Sequence, residues 1–336
     1  MTEKLKTKYL RVYEAANRIN SFKPWNDFNE GDRFVYVWED KSKTVFFSFI
    51  KESLGKCGIA CYIGEEDYLC ARLRLTEKNI KNEPVFMLQN ALVGVWDNSS
   101  ELSKENYELI KELGFKPRGN GAWLHFDRYE IGYVPEPLDE NEVELLAVAL
   151  ENLHMMLHAI YEEKLNPEFD KGKTLVRWYE PKDNMYYTHP HEFDMPTGAI
   201  WLPVITVHEN DLMRTIRSMP KEDYTAELDW SYSEIVYLDN EGRQTFPKLL
   251  FSVDPKSGRI LFSEMLHPKF DQPEEVIEVL TDIIEQHGKP SKISICDEEL
   301  KGILSDFCNK IDVELTFMKR LKALNNIRKD FLAEIG

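Results

Sequence analysis

From Ala226 to the C-terminus, runs of alternating apolar residues and runs of helical spacing succeed one another with short breaks between them. A strand repeats its faces every two residues and a helix every three to four, so the two kinds of run can be told apart by period. One strand lies within residues 226–238, followed by "KLLFSVD", the tight turn "PKSG" and a third strand, "RILFSEML". A helix over Pro273–His287, the strand "KISIC", a helix over Glu298–Lys310, the strand "DVELTFM" and a helix over Leu321–Ile335 complete the order. Pro273 in a first turn and Gly288 just past the helix end suit the two boundaries of the first of these helices. This order predicts a mixed sheet with helices.

The remainder reads as a separate α+β domain, as a chain of 336 residues and 39.5 kDa leads one to expect. An N-terminal helix carries Leu5, Tyr9, Tyr13 and Ala16 at near-helical spacing. The turn-rich stretch "NSFKPWNDFNEGD" ends it. Period-two segments "RFVYVWED", "KTVFFSFIK" and "CGIACYIG" predict an antiparallel meander. Helical signals follow from Glu65 to Lys78, then the strand "FMLQNALVGVW", a helix starting at Ser103 or Asn106 and closed by Gly114, and the strand "GAWLHFDRY". The clearest helix begins at Asp139, with Glu142 three residues on in a capping-box pattern. It carries Val143, Leu146, Leu150, Leu153, Leu157 and Ile160 on one face. The stretch "NPEFDKGK" reads as a link, giving expected domains at 1–166 and 172–336 with the C-terminal core from about residue 225. The second domain opens with extended segments "TLVRWYE", "NMYYTHP" and "AIWLPVITV" and a short helix over Glu209–Met219.

Composition narrows the function. At 43% hydrophobic and 30% charged, the chain can bury two cores. A net charge of −17 disfavours non-specific coating of nucleic acid, which needs clustered Lys and Arg. No apolar run approaches the roughly 18 residues of a membrane span. The charged N-terminus lacks the apolar centre of a signal peptide. Cys57, Cys61, Cys70, Cys296 and Cys308 form an odd, scattered set without CxxC or zinc spacing, which suits free thiols in a reducing cytoplasm.

The C-terminal order resembles the ribonuclease H-like fold of nucleases and retroviral-type integrases. "VDPKSGRIL" is similar to its second hairpin, "PEEVIEVLTDIIEQHGKPSKISICD" to the helix leading into its fourth strand, and "FCNKIDVELTF" to the passage into its fifth. The resemblance implies carboxylates meeting at Mg²⁺ or Mn²⁺ ions, which would activate water and stabilise a leaving oxygen. Asp297 matches the fourth-strand carboxylate. Asp229 stands for the first-strand one, with Glu227 and Asp239 as alternatives, and Glu278 or Glu275 for the helix one. The last helix offers only Asp330 and Glu334, behind the basic Lys319, Arg320, Lys322, Arg328 and Lys329. The residues alone also allow Asp297 to be the N-cap of the following helix, with Glu298 and Glu299 complementing the dipole. They allow the basic stretch to be a solvated helix face. The function expected is a non-catalytic or degenerate ribonuclease H-like binding or accessory module with protein partners. One alternative is a Mg²⁺- or Mn²⁺-dependent nuclease using Asp297, Asp229 and Glu278. A second is a small-molecule-binding protein with a cleft between its domains.

"PWNDF", "CGIACYIG" and "LIKELGFKPRGNGAWLHFDRYEIGYVPEPLDENE" resemble an uncharacterised bacterial domain that occurs in tandem with a C-terminal domain of this kind. That resemblance implies a bacterial, cytoplasmic, two-domain protein and brings no activity with it.

Other constellations are weaker. In "THPHEFD", His189 and His191 share a strand face, with Glu192 and Asp194 as hard ligands nearby, but a polar loop explains them as well. His154 and His158 share a helix face, yet Met155 stands where a zinc protease needs glutamate. Arg118, Trp123 and Arg128 around a glycine-rich turn form a candidate binding surface, since Arg and Trp are enriched at hot spots. No phosphate loop, GxGxxG before a helix, or GxSxG is present.

Overall fold

A computed structural model describes residues 1–29, 32–53, 56–76, 89–192, 204–208, 210–233, 235–266 and 274–335. Two compact units are present, Met1–Ile131 with Pro135–Gly198 and Gly132–Val134 with Ala199–Gly336. The class is α+β in both.

The first unit is built on an eight-stranded sheet. β1 (Arg33–Val37), β2 (Thr44–Ser53), β3 (Lys56–Ile63), β4 (Ala91–Asp97), β5 (Trp123–Tyr129) and β6 (Glu136–Pro137) pair antiparallel in chain order. The expected meander extends across all six. β7 (Thr174–Glu180) then pairs parallel with β1, and β8 (Met185–His191) returns antiparallel on β7, so the order is β6-β5-β4-β3-β2-β1-β7-β8. This moves the expected boundary at 166–172. "TLVRWYE" and "NMYYTHP" belong to the first sheet, because Leu175 beside Phe34 completes its apolar face.

Helices α1 (Glu3–Phe22) and α4 (Glu140–Tyr161) cover one face of that sheet. α1 buries Tyr9, Val12, Tyr13, Ala16 and Ile19, and α4 buries Val143, Leu146, Ala147, Leu150, Leu153 and Leu157. The Asp139–Glu142 capping box starts α4 as its sequence implied. Arg11 ties the pair together through Glu144 and Glu151, each at 2.9 Å. α4 is also the described helix with the length and hydropathy of a membrane span, and more than half of that window is buried in the core. α2 (Glu65–Thr76) packs on the opposite face through Tyr68 and Ala71, and α3 (Lys104–Glu112), capped by Ser103, packs near β5.

The second unit contains a five-stranded mixed sheet. β9 (Lys221–Tyr232) is its centre, β12 (Lys248–Val253) and β13 (Ile260–Leu266) add antiparallel on one side, and β14 (Lys289–Ile295) and β15 (Glu314–Phe317) add parallel on the other. The order β13-β12-β9-β14-β15 is third-second-first-fourth-fifth, a ribonuclease H-like arrangement. β9 begins five residues before the expected start because Lys221 already pairs with Lys289. A hairpin of β10 (Tyr237–Leu238) and β11 (Gln244–Thr245) stands apart, bridged to Tyr133.

Alternation on β9 divides this core into two layers. Ala226, Leu228 and Trp230 pack with α5 (Asp211–Ser218), α6 (Glu274–His287) and α7 (Glu298–Lys310). On the other face Leu249, Phe251 and Val253 meet Leu321 and Leu324, the latter on α8 (Lys322–Ile335). Pro273, Glu209 and residues 199–203 of the expected "AIWLPVITV" strand lie outside the described residues.

Candidate functional site

The carboxylates of the second unit fall on different layers. β14 ends at Ile295, and Asp297 follows in extended conformation as the N-cap of α7. Its Oδ1 accepts from the backbone N–H of Glu299 at 2.9 Å and of Leu300 at 3.1 Å. Two of the helix's otherwise unpaired amides are satisfied this way.

Asp229 lies one layer away. Its cross-strand partner Phe251 belongs to the face covered by α8, so Asp229 points there too, and it is 1% exposed. Arg328 on α8 donates Nη1–H to Asp229 Oδ2 at 3.2 Å and Nη2–H to Asn325 at 3.1 Å. On the same face Glu227 accepts the Leu324 N–H at 2.8 Å, near the start of α8. Just past the end of β14, Cys296 lies beside Asp229, with its Sγ 3.7 Å from Oδ1. Alternation explains this: Ile295 packs with the α6–α7 layer and Cys296 with the α8 layer, so Asp297 is out of phase with Asp229.

Glu278 is not part of this arrangement. α6 buries Val276, Val279, Leu280, Ile283 and Ile284 on the opposite layer, and Glu278 faces solvent from its outer side. Asp239 accepts the N–H groups of Glu241 and Arg243 in the β10–β11 turn. Asp330 is exposed, and the Glu334 side chain lies outside what is described. Among the described residues, no group of three His, Cys, Asp or Glu side chains could hold a metal ion. A metal pair of the kind the fold resemblance implies does not fit these residues: Arg328 already supplies the positive charge at Asp229, and Asp297 bonds to amides.

In the first unit the three residues of the expected binding surface have three different surroundings. Arg118 is exposed in the turn before β5. Trp123 stacks on Tyr107 of α3, with ring centroids 5.4 Å apart. Arg128 is enclosed by carboxylates, pairing with Glu136, with Glu142 at 3.4 Å and with Glu130 at 3.9 Å. Arg128 thus joins β5 to β6 and to the first turn of α4.

His189 and His191 do share a face of β8, where both rings lie against Trp178, at 6.1 and 5.2 Å. Glu192 is exposed, and Asp194 lies outside the described residues. His154 stacks on Phe22 at 5.9 Å, and burial lowers its pKa. His158 faces Glu163 at 3.4 Å. None of the five cysteines is in a disulfide; burial pushes the Cys61 thiol up and the Cys308 thiol up to about 12.

Two polar clusters escaped the sequence reading. On β5, His125 Nδ1 meets Asp127 Oδ2 at 2.7 Å, Asn106 donates to Asp127 Oδ1 at 2.8 Å, and Lys56 pairs with the neighbouring Asp97 at 2.9 Å. The signal was the alternation in "WLHFDRY", which puts His125 and Asp127 on one face. On β7, Arg177 is two residues after the buried Leu175 and so lies on the core face, where a charge is unusual. Its guanidinium donates to Asn152 and Thr188.

The fold and these surroundings define a two-unit α+β protein whose second unit is ribonuclease H-like. The chain belongs to the family described as "Domain of unknown function (DUF7309)", which matches residues 9–177, and residues 212–332 match a second, "Domain of unknown function (DUF6930)". No curated protein matches it. Among solved structures, the HTLV-2 integrase catalytic core domain in complex with magnesium, in its dimeric form, is 19% identical, with 34% of this chain and 72% of that chain covered and a TM-score of 0.26. The simian T-cell lymphotropic virus intasome in complex with PP2A regulatory subunit B56 gamma is 20% identical, with 36% and 43% covered and a TM-score of 0.25.

Proposed function

We propose that this chain is a bacterial, cytoplasmic binding or accessory protein whose ribonuclease H-like unit is non-catalytic. The observation that carries the reading is the Arg328–Asp229 pair: a guanidinium of the chain itself occupies the place where a metal would have to meet the first-strand carboxylate. The fourth-strand aspartate is committed to capping α7 in the same structure. A carboxylate that already answers an internal cation or amides is poorly placed to bind a divalent ion. The ligand expected is another protein. Among the described residues β15 is a sheet edge, and its last residue Phe317 and Met318 just beyond stand exposed, an arrangement suited to an added partner strand.

The test is Mn²⁺ titration by calorimetry with a nuclease assay on the same samples, using the wild type and Asp297→Asn. Asparagine preserves the cap, so the variant stays folded. The expected result is no saturable Mn²⁺ binding and no cleavage in either protein. Saturable binding and cleavage that Asp297→Asn abolishes would replace this reading with the nuclease.

A further inference from the structure

Arg177 occupies one row of the first sheet with Tyr36 on β1 and Thr188 on β8 as its direct cross-strand neighbours. Nε donates to Asn152 Oδ1 at 2.9 Å, Nη1 donates to Thr188 Oγ1 at 2.8 Å, and the Tyr186 ring lies 4.8 Å from the guanidinium carbon. All of these partners are neutral. Among the described residues no carboxylate forms an ion pair with Arg177, and Nη2 has no hydrogen-bond acceptor. Of the acids close by, Glu163 faces His158 and Glu39 accepts the Tyr186 hydroxyl. Burial pulls the Arg177 pKa down, with Tyr186, Tyr36 and Glu163 opposing.

The second observation is independent of the first. Tyr36 is fully buried, and its hydroxyl makes no well-formed hydrogen bond; the neighbouring Tyr186 hydroxyl is given to Glu39. A buried hydroxyl left unmade and a half-buried cation with no counter-charge are each costly on their own. Side by side they are answered together by one group that only accepts hydrogen bonds and carries negative charge. Thr188 adds a third donor, because its oxygen already accepts from Arg177 and its own hydrogen is free to point onward.

We propose that Tyr36, Arg177 and Thr188 form a binding site for the carboxylate group of a small organic acid. Shape favours a carboxylate over a phosphate. The arginine fork and two hydroxyls match a planar, two-oxygen acceptor.

The experiment titrates the full chain with sodium acetate, and separately with inorganic phosphate, at matched ionic strength, following the arginine Nε–Hε NMR resonances. Acetate is expected to shift one such resonance saturably, with the response absent in Arg177→Lys. Should that variant fail to fold, Tyr36→Phe decides the matter. It removes a hydroxyl that makes no well-formed hydrogen bond in the free chain, so the melting temperature should hold or rise while acetate affinity falls roughly tenfold. Three results would overturn the proposal: no saturable response to acetate; phosphate binding more tightly than acetate; or Tyr36→Phe lowering the melting temperature with acetate affinity unchanged.

Discussion

Arg328 in the second unit and Arg177 in the first are both held largely inside the protein, yet only Arg328 is answered by a charge. Arg328 reaches a carboxylate that is 1% exposed, and each group cancels what burial costs the other. Arg177 is held in place by an amide, a hydroxyl and a ring, which fix its geometry without neutralising it. The contrast separates two uses of one side chain. A cation matched internally fastens α8 to the sheet, while a cation oriented but unmatched is prepared for something outside the chain.

The sharpest way to break the comparison is to remove one member of the matched pair. Arg328→Met leaves Asp229 buried without its cation and should cost about 3–5 kcal/mol in urea unfolding. Combining it with Asp229→Leu should restore most of that loss, since an apolar pair of similar volume fills the same space. A single-variant loss below about 1 kcal/mol would mean that the pair does not hold α8 in solution.

Next in size is the cap. Asp297→Ala should lower stability by about 1 kcal/mol, as should Asp139→Ala at the start of α4, while Asp297→Asn should cost only a few tenths. Equal losses for Ala and Asn at 297 would show that the charge rather than the cap matters there. Arg177→Met should cost less than either cap variant in the absence of ligand, because it removes a desolvated cation along with its neutral bonds. A loss as large as that of Arg328→Met would erase the distinction between the two arginines.

The smallest effect is in pH. Glu168, in the connection between α4 and β7, is pulled down to about 2 by hydrogen bonds from Lys171 and Lys173. A depressed carboxylate stabilises the folded state above its unfolded pKa and loses that contribution as pH falls through the folded value. The stability difference between wild type and Glu168→Gln should therefore be present above about pH 4.5 and shrink toward zero near pH 2. A difference that grows on acidification would refute the pairing.

Much of the architecture was legible because it is local. Alternation in "RFVYVWED" and "KLLFSVD", the capping box at Asp139–Glu142 and the strand–helix order after Ala226 each depend on residues close in sequence. The boundary at 166–172 was misplaced because the parallel pairing of β7 with β1 joins residues about 140 apart, and no local pattern specifies it. The candidate carboxylates lie apart for a related reason. Asp297, Asp229 and Glu278 are all plausible in spacing, but their faces depend on strand phase and on which helix covers which layer.

The sequence by itself determined the order of most strands and helices, that two cores form, and that Asp297 stands ready to cap a helix. Periodicity and capping act within a few residues of chain. Only the tertiary structure decided that Arg328 meets Asp229 across 99 residues and that Arg177 sits beside Tyr36 without a counter-charge. Charge pairing depends on distances of a few ångström between segments far apart in sequence, and those distances are set by packing.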